Sequence, residues 1–290
     1  MPPSAWAVFI ALGIIWGLPY FFIKVALVEL SPLFIVWSRV TLAAAVLLPI
    51  AWRRGALAPA WQYKGPVLAF AVIEFAIPFT LITLGEQWID SSVTGVLIAM
   101  TPLSIALISR FFGLHEPLRA LRLAGLLIGF AGVLLLLGFG TVSGALGWLG
   151  VGCMLVATLG YALGALIIQR HLTRVDSTGV IAASLAVAAL LLTPGAMATW
   201  PTLMPSLHAL FSIGFLGVVC SAVAMLLMFR LIRTAGSQRA SVITYVNPAV
   251  ATLLGVWVLD ESLGWSGLAA FALILLGSWL ATLASPASAH

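Results

Sequence analysis

Charged side chains are what this chain has least of. Eight acids and thirteen Lys or Arg make up 7% of 290 residues, where a soluble domain carries roughly a quarter. So few charges cannot cover a water-exposed surface. Cysteine is nearly absent too: Cys153 and Cys220 both fall inside apolar runs, which makes them small packing residues and excludes a disulfide framework. With four His in all, there is no HExxH pair, no Gly-rich phosphate loop and no paired aspartates for a diphosphate. Metal hydrolysis, ATP use and prenyl-diphosphate chemistry are therefore excluded; no cofactor, no metal and no enzymatic activity are expected. The pI near 9.8 suggests nucleic acid at first sight. The cations, however, stand singly between apolar runs, a placement that suits membrane topology and leaves no nucleic-acid partner expected.

What is there is hydrocarbon. Hydrophobic residues make up 63% of the chain and the mean hydropathy is +1.20, so the partner that surrounds the chain is a lipid bilayer. Apolar runs near 5–28, 32–52, 66–86, 91–112, 120–139, 144–169, 178–199, 208–230, 239–259 and 265–284 give ten candidate spans. Each has about 19–26 residues, enough to cross roughly 30 Å of hydrocarbon at 1.5 Å per residue. The first run lacks a basic n-region and is too long for the apolar core of a signal, so it counts as a span. Connections are short, with no linker or soluble domain.

The cations set an orientation. Arg53, Arg54 and Lys64 lie between spans 2 and 3, and Arg110, Arg119 and Arg122 flank the next turn on that side. Arg170, Arg174, Arg230, Arg233 and Arg239 complete the group. The opposite turns hold Glu29, Glu86, Asp90, Asp260 and Glu261 and no Lys or Arg. The positive-inside rule then places both termini in the cytoplasm.

The chain repeats itself. VLIAMTPLSIALISRFFGLHE at 96–116 is matched by VITYVNPAVATLLGVWVLDE at 242–261, each an apolar run with an early proline (Pro102, Pro248) and a terminal acid (Glu116, Glu261). The prolines are 146 residues apart and the acids 145. Ten spans in two halves, 1–142 and 143–290, means five per half. Five is odd, so the second half starts from the opposite side and is inverted. The fold expected is an all-α integral membrane protein of ten transmembrane helices in two inverted five-helix repeats, a device of transporters. Glycine pairs at spacing four, Gly13/Gly17, Gly125/Gly129 and Gly160/Gly164, predict close helix approach.

Few residues can carry chemistry. Glu74 stands in the middle of span 3, where a carboxyl is costly and points to a functional site facing the interior; the alternative is a protonated acid bonded to a neighbouring helix. The repeat offset places its counterpart near Cys220 and Ser221. Lys24 and Arg39 are the two cations off the basic side. Either can meet a substrate carboxylate, but the sequence favours ion pairs with Glu29, Glu86 or Asp90, or snorkelling towards headgroups. Pro78, Pro102 and Pro248 kink their spans and free carbonyls. Beside the last, Thr244, Tyr245 and Asn247 can bind the ammonium and carboxylate of a small zwitterion, or make interhelical hydrogen bonds at a hinge. Trp16, Tyr20, Phe79, Met100 and Tyr161 offer aromatic or soft apolar surface, and Trp148 reads as an interfacial anchor. Glu116 and Glu261 are expected to cap the helix that follows each of them. His171 and Asp176 match the H-x4-D spacing of membrane acyltransferases, but this short loop lacks the acyl-binding domain that chemistry needs.

Ile15-Trp16-Gly17 with Lys24, Arg39, Met100-Thr101-Pro102-Leu103 with Glu116, and Tyr245-Val246-Asn247-Pro248 with Glu261 follow one another along the chain. In that order they resemble the drug/metabolite transporter superfamily, in its EamA-type branch, over essentially the whole length. Within the branch the pattern is most similar to the aromatic amino-acid exporters of the YddG type. It departs from the common Trp-Gly-x-Asn-Phe form, having Leu18-Pro19-Tyr20 after Trp16-Gly17. The resemblance implies a secondary exporter in the bacterial inner membrane.

The function expected is export of amino acids, of broad or aromatic specificity, by alternating access. Trp16, Tyr20, Phe79, Met100 and Tyr161 would hold the side chain and Thr244, Tyr245 and Asn247 the backbone groups, with Glu74 carrying a coupling proton or lining the cavity. Pro102 and Pro248 would act as hinges. Both halves are present, so a monomer suffices. A drug exporter that takes lipophilic cations, with Glu74 as counter-charge, is the alternative; a lipid-modifying membrane enzyme would need clustered catalytic polar residues that the sequence lacks.

Overall fold

The computed structural model describes residues 3–111, 120–138, 142–235, 243, 246–261 and 264–283. Every regular element among them is helical. Six helices are long and apolar enough to cross a membrane, and four shorter apolar helices of 10–17 residues accompany them. Large apolar side chains cover the outside, among them Leu127, Phe130, Leu190 and Trp257, as a lipid-facing surface requires.

The prolines and small residues decide where helices break. Helix α1 (Pro3–Gly17) runs into α2 (Pro19–Leu27), because Pro19 cannot donate and the chain bends at Leu18. Helix α3 (Pro32–Arg53) starts on Ser31, whose hydroxyl accepts from the Phe34 amide at 3.2 Å. A short helix α4 (Leu57–Gln62), which the apolar pattern does not signal, fills the following turn. Then α5 (Lys64–Phe70), a π-helical turn over Ala71–Ala76 and α6 (Ile77–Gly85) form one span. The wider turn lies just ahead of Pro78, whose ring would otherwise meet the carbonyl four residues back.

The run at 91–112 is divided. Helix α7 (Ser91–Ile98) ends at Ala99 and α8 (Thr101–Phe111) begins with Pro102 in its first turn. Helix α9 (Ala120–Gly138) follows, and α10 (Gly144–Ile167) continues into a π turn, Ile168–Leu172. Asp176 caps α11 (Ser177–Ala198), accepting from the Thr178 amide at 2.7 Å; the acyltransferase-like spacing is thus a helix cap. Helix α12 (Leu207–Gly214), a third π segment (Phe215–Val223) and α13 (Ala224–Ala235) form the next span. Helices α14 (Asn247–Val258) and α15 (Trp265–Leu283) complete the order.

Helices that the repeat offset makes equivalent pack on each other: α3 lies against α11 and α9 against α15. The contact of α1 with α14 is matched by that of α10 with α8. Glycines make these approaches possible. A Cβ on Gly277 would stand 2.6 Å from the Gly125 carbonyl and from the Gly129 Cα, so α9 and α15 touch backbone to backbone.

Candidate functional site

A cavity of about 390 Å³ lies between the helices, within the range of small-molecule sites. Both halves line it at matching positions. Trp16 and Tyr161, Tyr20 and Ala165, Arg39 and Leu185, Glu74 and Cys220, Phe75 and Ser221, Phe79 and Met225, and Thr101 and Asn247 all face it, and the members of each pair are 145 or 146 residues apart. The wall is mostly aromatic and aliphatic, with polar atoms at few places.

Two π-helical turns aim the polar ones. The turn over Ala71–Ala76 presents Glu74, and the equivalent segment Phe215–Val223 presents Ser221. A π turn pushes one residue out of the helical register and is often found where a side chain must face a site. The Glu74 Oε2 is buried with no hydrogen-bond partner among the described residues. No bond from this oxygen to a neighbouring helix, the alternative read from the sequence, is found among the described residues. Gly164 faces the carboxylate so closely that a Cβ there would overlap it. Gly160, one turn earlier on α10, lies against the Ile73 carbonyl and the Pro78 ring, each 2.8 Å from a built Cβ.

Arg39 corrects an expectation. It neither snorkels nor joins an ion pair with Glu29, Glu86 or Asp90. It is 8% exposed, its Nε donates to Ser221 Oγ at 2.9 Å, and its guanidinium carbon sits 3.9 Å from the centre of the Phe79 ring. Ser221 in turn donates to the Leu216 carbonyl at 2.9 Å, so the hydroxyl is fixed to accept from Arg39. The reason for the difference is local: Ser221 and the Phe79 ring offer the guanidinium an acceptor and a π face inside the bundle. Lys24 does reach Glu86, but its Nζ donates to the backbone carbonyl, at 2.6 Å.

Of the other residues singled out from sequence, Trp16, Tyr20, Phe79, Tyr161, Asn247 and Pro248 line the cavity. Met100 does not; it packs against the adjoining apolar core beside the α7–α8 break. Asn247, with its NH2 turned towards them, donates to the carbonyls of Gly13 (3.2 Å) and Ile243 (3.0 Å), which ties α14 to α1. Thr244, Tyr245 and Glu116 lie outside the described residues. Cys220, Ser221, Thr101, Met225 and Met228 also line the cavity and were not marked as site residues. The repeat offset places the counterpart of Glu74 near Cys220 and Ser221; applied to Phe79 and Ile82 it also gives Met225 and Met228.

The acidic end of the bundle is tied by carboxylates to backbone amides. Glu29 accepts from the Ser206 amide at 2.7 Å, and those bonds with Ser206 hold its carboxyl below the usual range. Glu261 accepts from the Ser91 and Ser92 amides, both at 2.8 Å. It therefore caps α7, in the other half, and not the α15 helix that follows it. The reason is geometric: α7 and α14 pack together, which brings the α7 amino terminus beside the end of α14. Burial pushes the Asp90 carboxyl up, and Glu261 adds to that.

Inner membrane transporter YedA of Escherichia coli K12, described as uncharacterized, is 31% identical over 279 residues, which cover 93% of this chain and 90% of that one. An uncharacterized transporter of Archaeoglobus fulgidus is 24% identical over 95% of this chain and 97% of its own, and the uncharacterized transporter YvbV of Bacillus subtilis is 25% identical over 95% and 90%. A crystal structure of another protein superposes with a TM-score of 0.68 over 98% of each chain, at 21% identity, a likeness of fold. The sequence profile of the EamA-like transporter family matches twice, over residues 4–138 and again over 148–283. With its duplicated helical halves meeting around one cavity, this multi-pass membrane chain belongs to the EamA-like transporter family.

Proposed function

We propose that this transporter exports amino acids, of broad or aromatic specificity, across the bacterial inner membrane by alternating access. In this reading ten spans form two inverted halves, 1–142 and 143–290, with both termini in the cytoplasm, and one chain is the transporting unit. The observation that carries the proposal is the cavity that both halves line at equivalent positions. Two similar half-sites can exchange packing so that the shared space faces each side in turn. Trp16, Tyr20, Phe79 and Tyr161 would surround the substrate's side chain, and Glu74 would receive its ammonium. Pro102 and Pro248 would serve as hinges, since each sits in the first turn of its helix.

The unpartnered Glu74 carboxylate also suits a lipophilic cation, the second reading. Efflux from liposomes containing the purified protein separates the two. Labelled phenylalanine, leucine and threonine are loaded, with and without a pH gradient, beside a quaternary aromatic cation. Amino-acid efflux above that of protein-free liposomes is expected. Efflux of the cation alone would refute the amino-acid assignment.

A further inference from the structure

Arg39 is a buried cation that no carboxylate pairs with directly among the described residues. Its guanidinium has five N–H donors. The Nε–H goes to Ser221. Among the described residues neither Nη group has a hydrogen-bond partner, and no carboxylate pairs with it. The Phe79 ring below and the cavity beside it are its surroundings, with Tyr20, Tyr161, Cys220 and the buried Glu86 within electrostatic range. A buried charge without a directly bonded counter-charge is costly, and neither the bond to Ser221 nor the unbonded Glu86 supplies one. The Ser221 bond fixes the guanidinium instead. Ser221, locked by its own bond to Leu216, holds Nε, and the ring holds the plane, which leaves the Nη donors to the cavity that Arg39 lines. Such a fork matches a carboxylate, which takes two parallel N–H bonds.

Glu74 faces the same cavity with its Oε2 unbonded, and no ion pair joins it to Arg39 among the described residues. They are thus an acid and a base held at separate places on one wall-bounded space. A small zwitterion answers both at once; a cation answers Glu74 and is repelled by Arg39.

We propose that Arg39, positioned by Ser221 and Phe79, is the residue that binds the substrate's carboxylate and sets the preference for carboxylate-bearing substrates over amines. The inference rests on the amino-acid reading above and replaces Thr244, Tyr245 and Asn247 as the carboxylate's site. It fits the Asn247 amide being spent on the carbonyls of Gly13 and Ile243.

The test uses ligands that share one side chain: phenylalanine, phenylalanine amide, phenethylamine and 3-phenylpropionate. Their binding to the purified full-length protein is read by tryptophan fluorescence, with leucine and threonine as further zwitterions. Wild-type protein is expected to prefer phenylalanine to phenethylamine. Removing one partner of a buried charge pair should cost roughly 30-fold or more in affinity, so Arg39→Gln is expected to weaken phenylalanine by that factor while phenethylamine holds or improves. Arg39→Lys should recover part of the loss. Retained phenethylamine binding also shows that the variant is folded. Equal affinity of the wild type for phenylalanine and phenethylamine would overturn the proposal with no variant needed, as would Arg39→Gln weakening both ligands alike. If the wild type binds 3-phenylpropionate through Arg39 but no amino acid, the carboxylate site stands and the amino-acid reading falls. Binding of none of the carboxylates overturns both.

Discussion

Glu261 and Ser91 lie 170 positions apart and are joined by a 2.8 Å hydrogen bond from the Ser91 amide to the Glu261 carboxylate. The second oxygen takes the Ser92 amide at the same distance, so one side chain satisfies two amides of the first α7 turn. The charge also sits at the positive end of that helix. Charge-assisted bonds of this kind bind the two halves at the acidic end. Glu261→Gln retains the shape but sets an NH2 against a backbone N–H. It is expected to lower stability by about 1–2 kcal/mol, read as a lower midpoint of thermal unfolding in detergent. A Cys introduced at Ser92, buried in the parent, should react faster with maleimide in the Glu261→Gln background. Unchanged labelling would show that this contact does not hold the acidic end shut.

Two acids at the acidic end should respond to pH in opposite ways. Glu29 is held below its ordinary value by its bonds with Ser206. Its contribution to stability is therefore present above that ordinary value and fades as pH falls through the lowered one. Asp90 is pushed up by burial and then by Glu261, so its ionised form weighs against folding above the raised value. Chemical denaturation across pH should find Glu29→Gln less stable than the parent at pH 7, and Asp90→Asn more stable at pH 8. Both differences should shrink on acidification below the ordinary carboxylate range, about pH 3.9–4.3. Differences that stay constant with pH would disprove the assignment to these two carboxyls.

Where sequence and structure agree, the signal was local or periodic. Glu74 stood out because a lone acid in an apolar run has few other uses, and it faces the cavity. The break before Pro102 and the close approach at Gly125 and Gly129 follow from residue types that act on their own backbone. The repeat offset even located the Cys220–Ser221 segment. What escaped depends on partners far along the chain. Nothing near Glu261 says that its amides are at Ser91 and Ser92, and a cap for the next helix is the nearer guess. Arg39 reads as a snorkelling or paired cation until Ser221 and Phe79 are known to be beside it. The π turns leave no mark of their own, because the apolar periodicity of Ala71–Ala76 and Phe215–Val223 is that of any buried helix.

Gly164 offers a way to move Glu74 without changing it. A Cβ at this position would overlap the Glu74 carboxylate and lie 3.3 Å from its Cβ, so Gly164→Ala must push the acid aside. Overpacking of this kind costs about 1–3 kcal/mol, a modest loss for a folded chain. Flux should suffer more, since a misplaced charged group can cost about 100-fold. Reconstituted Gly164→Ala is expected to unfold a few degrees earlier and to transport at least about tenfold more slowly than the parent, whereas Gly152→Ala on the same helix, whose Cβ would meet open space, should match the parent in both. Normal transport by Gly164→Ala would mean that the position of the Glu74 carboxylate is not critical.

Glu74 itself separates two transport modes. It is the one carboxylate among the residues that line the cavity, and with no protein hydrogen bond on Oε2 it can exchange a proton for a substrate ammonium. If it does, outward amino-acid movement is driven by protons moving inward, and a pH gradient should drive uphill efflux in the parent. Glu74→Gln keeps the shape and removes the exchangeable proton. It should leave downhill exchange measurable while abolishing accumulation against a gradient. If the parent instead moves substrate only downhill, whatever the gradient, the protein is a facilitator and Glu74 serves as a counter-charge alone. Glu74→Gln would then weaken binding of phenylalanine and phenethylamine alike, since both carry the ammonium, and would spare 3-phenylpropionate. That pattern is the inverse of the one expected for Arg39→Gln, so the same four ligands assign the two charges to their two ends of the substrate.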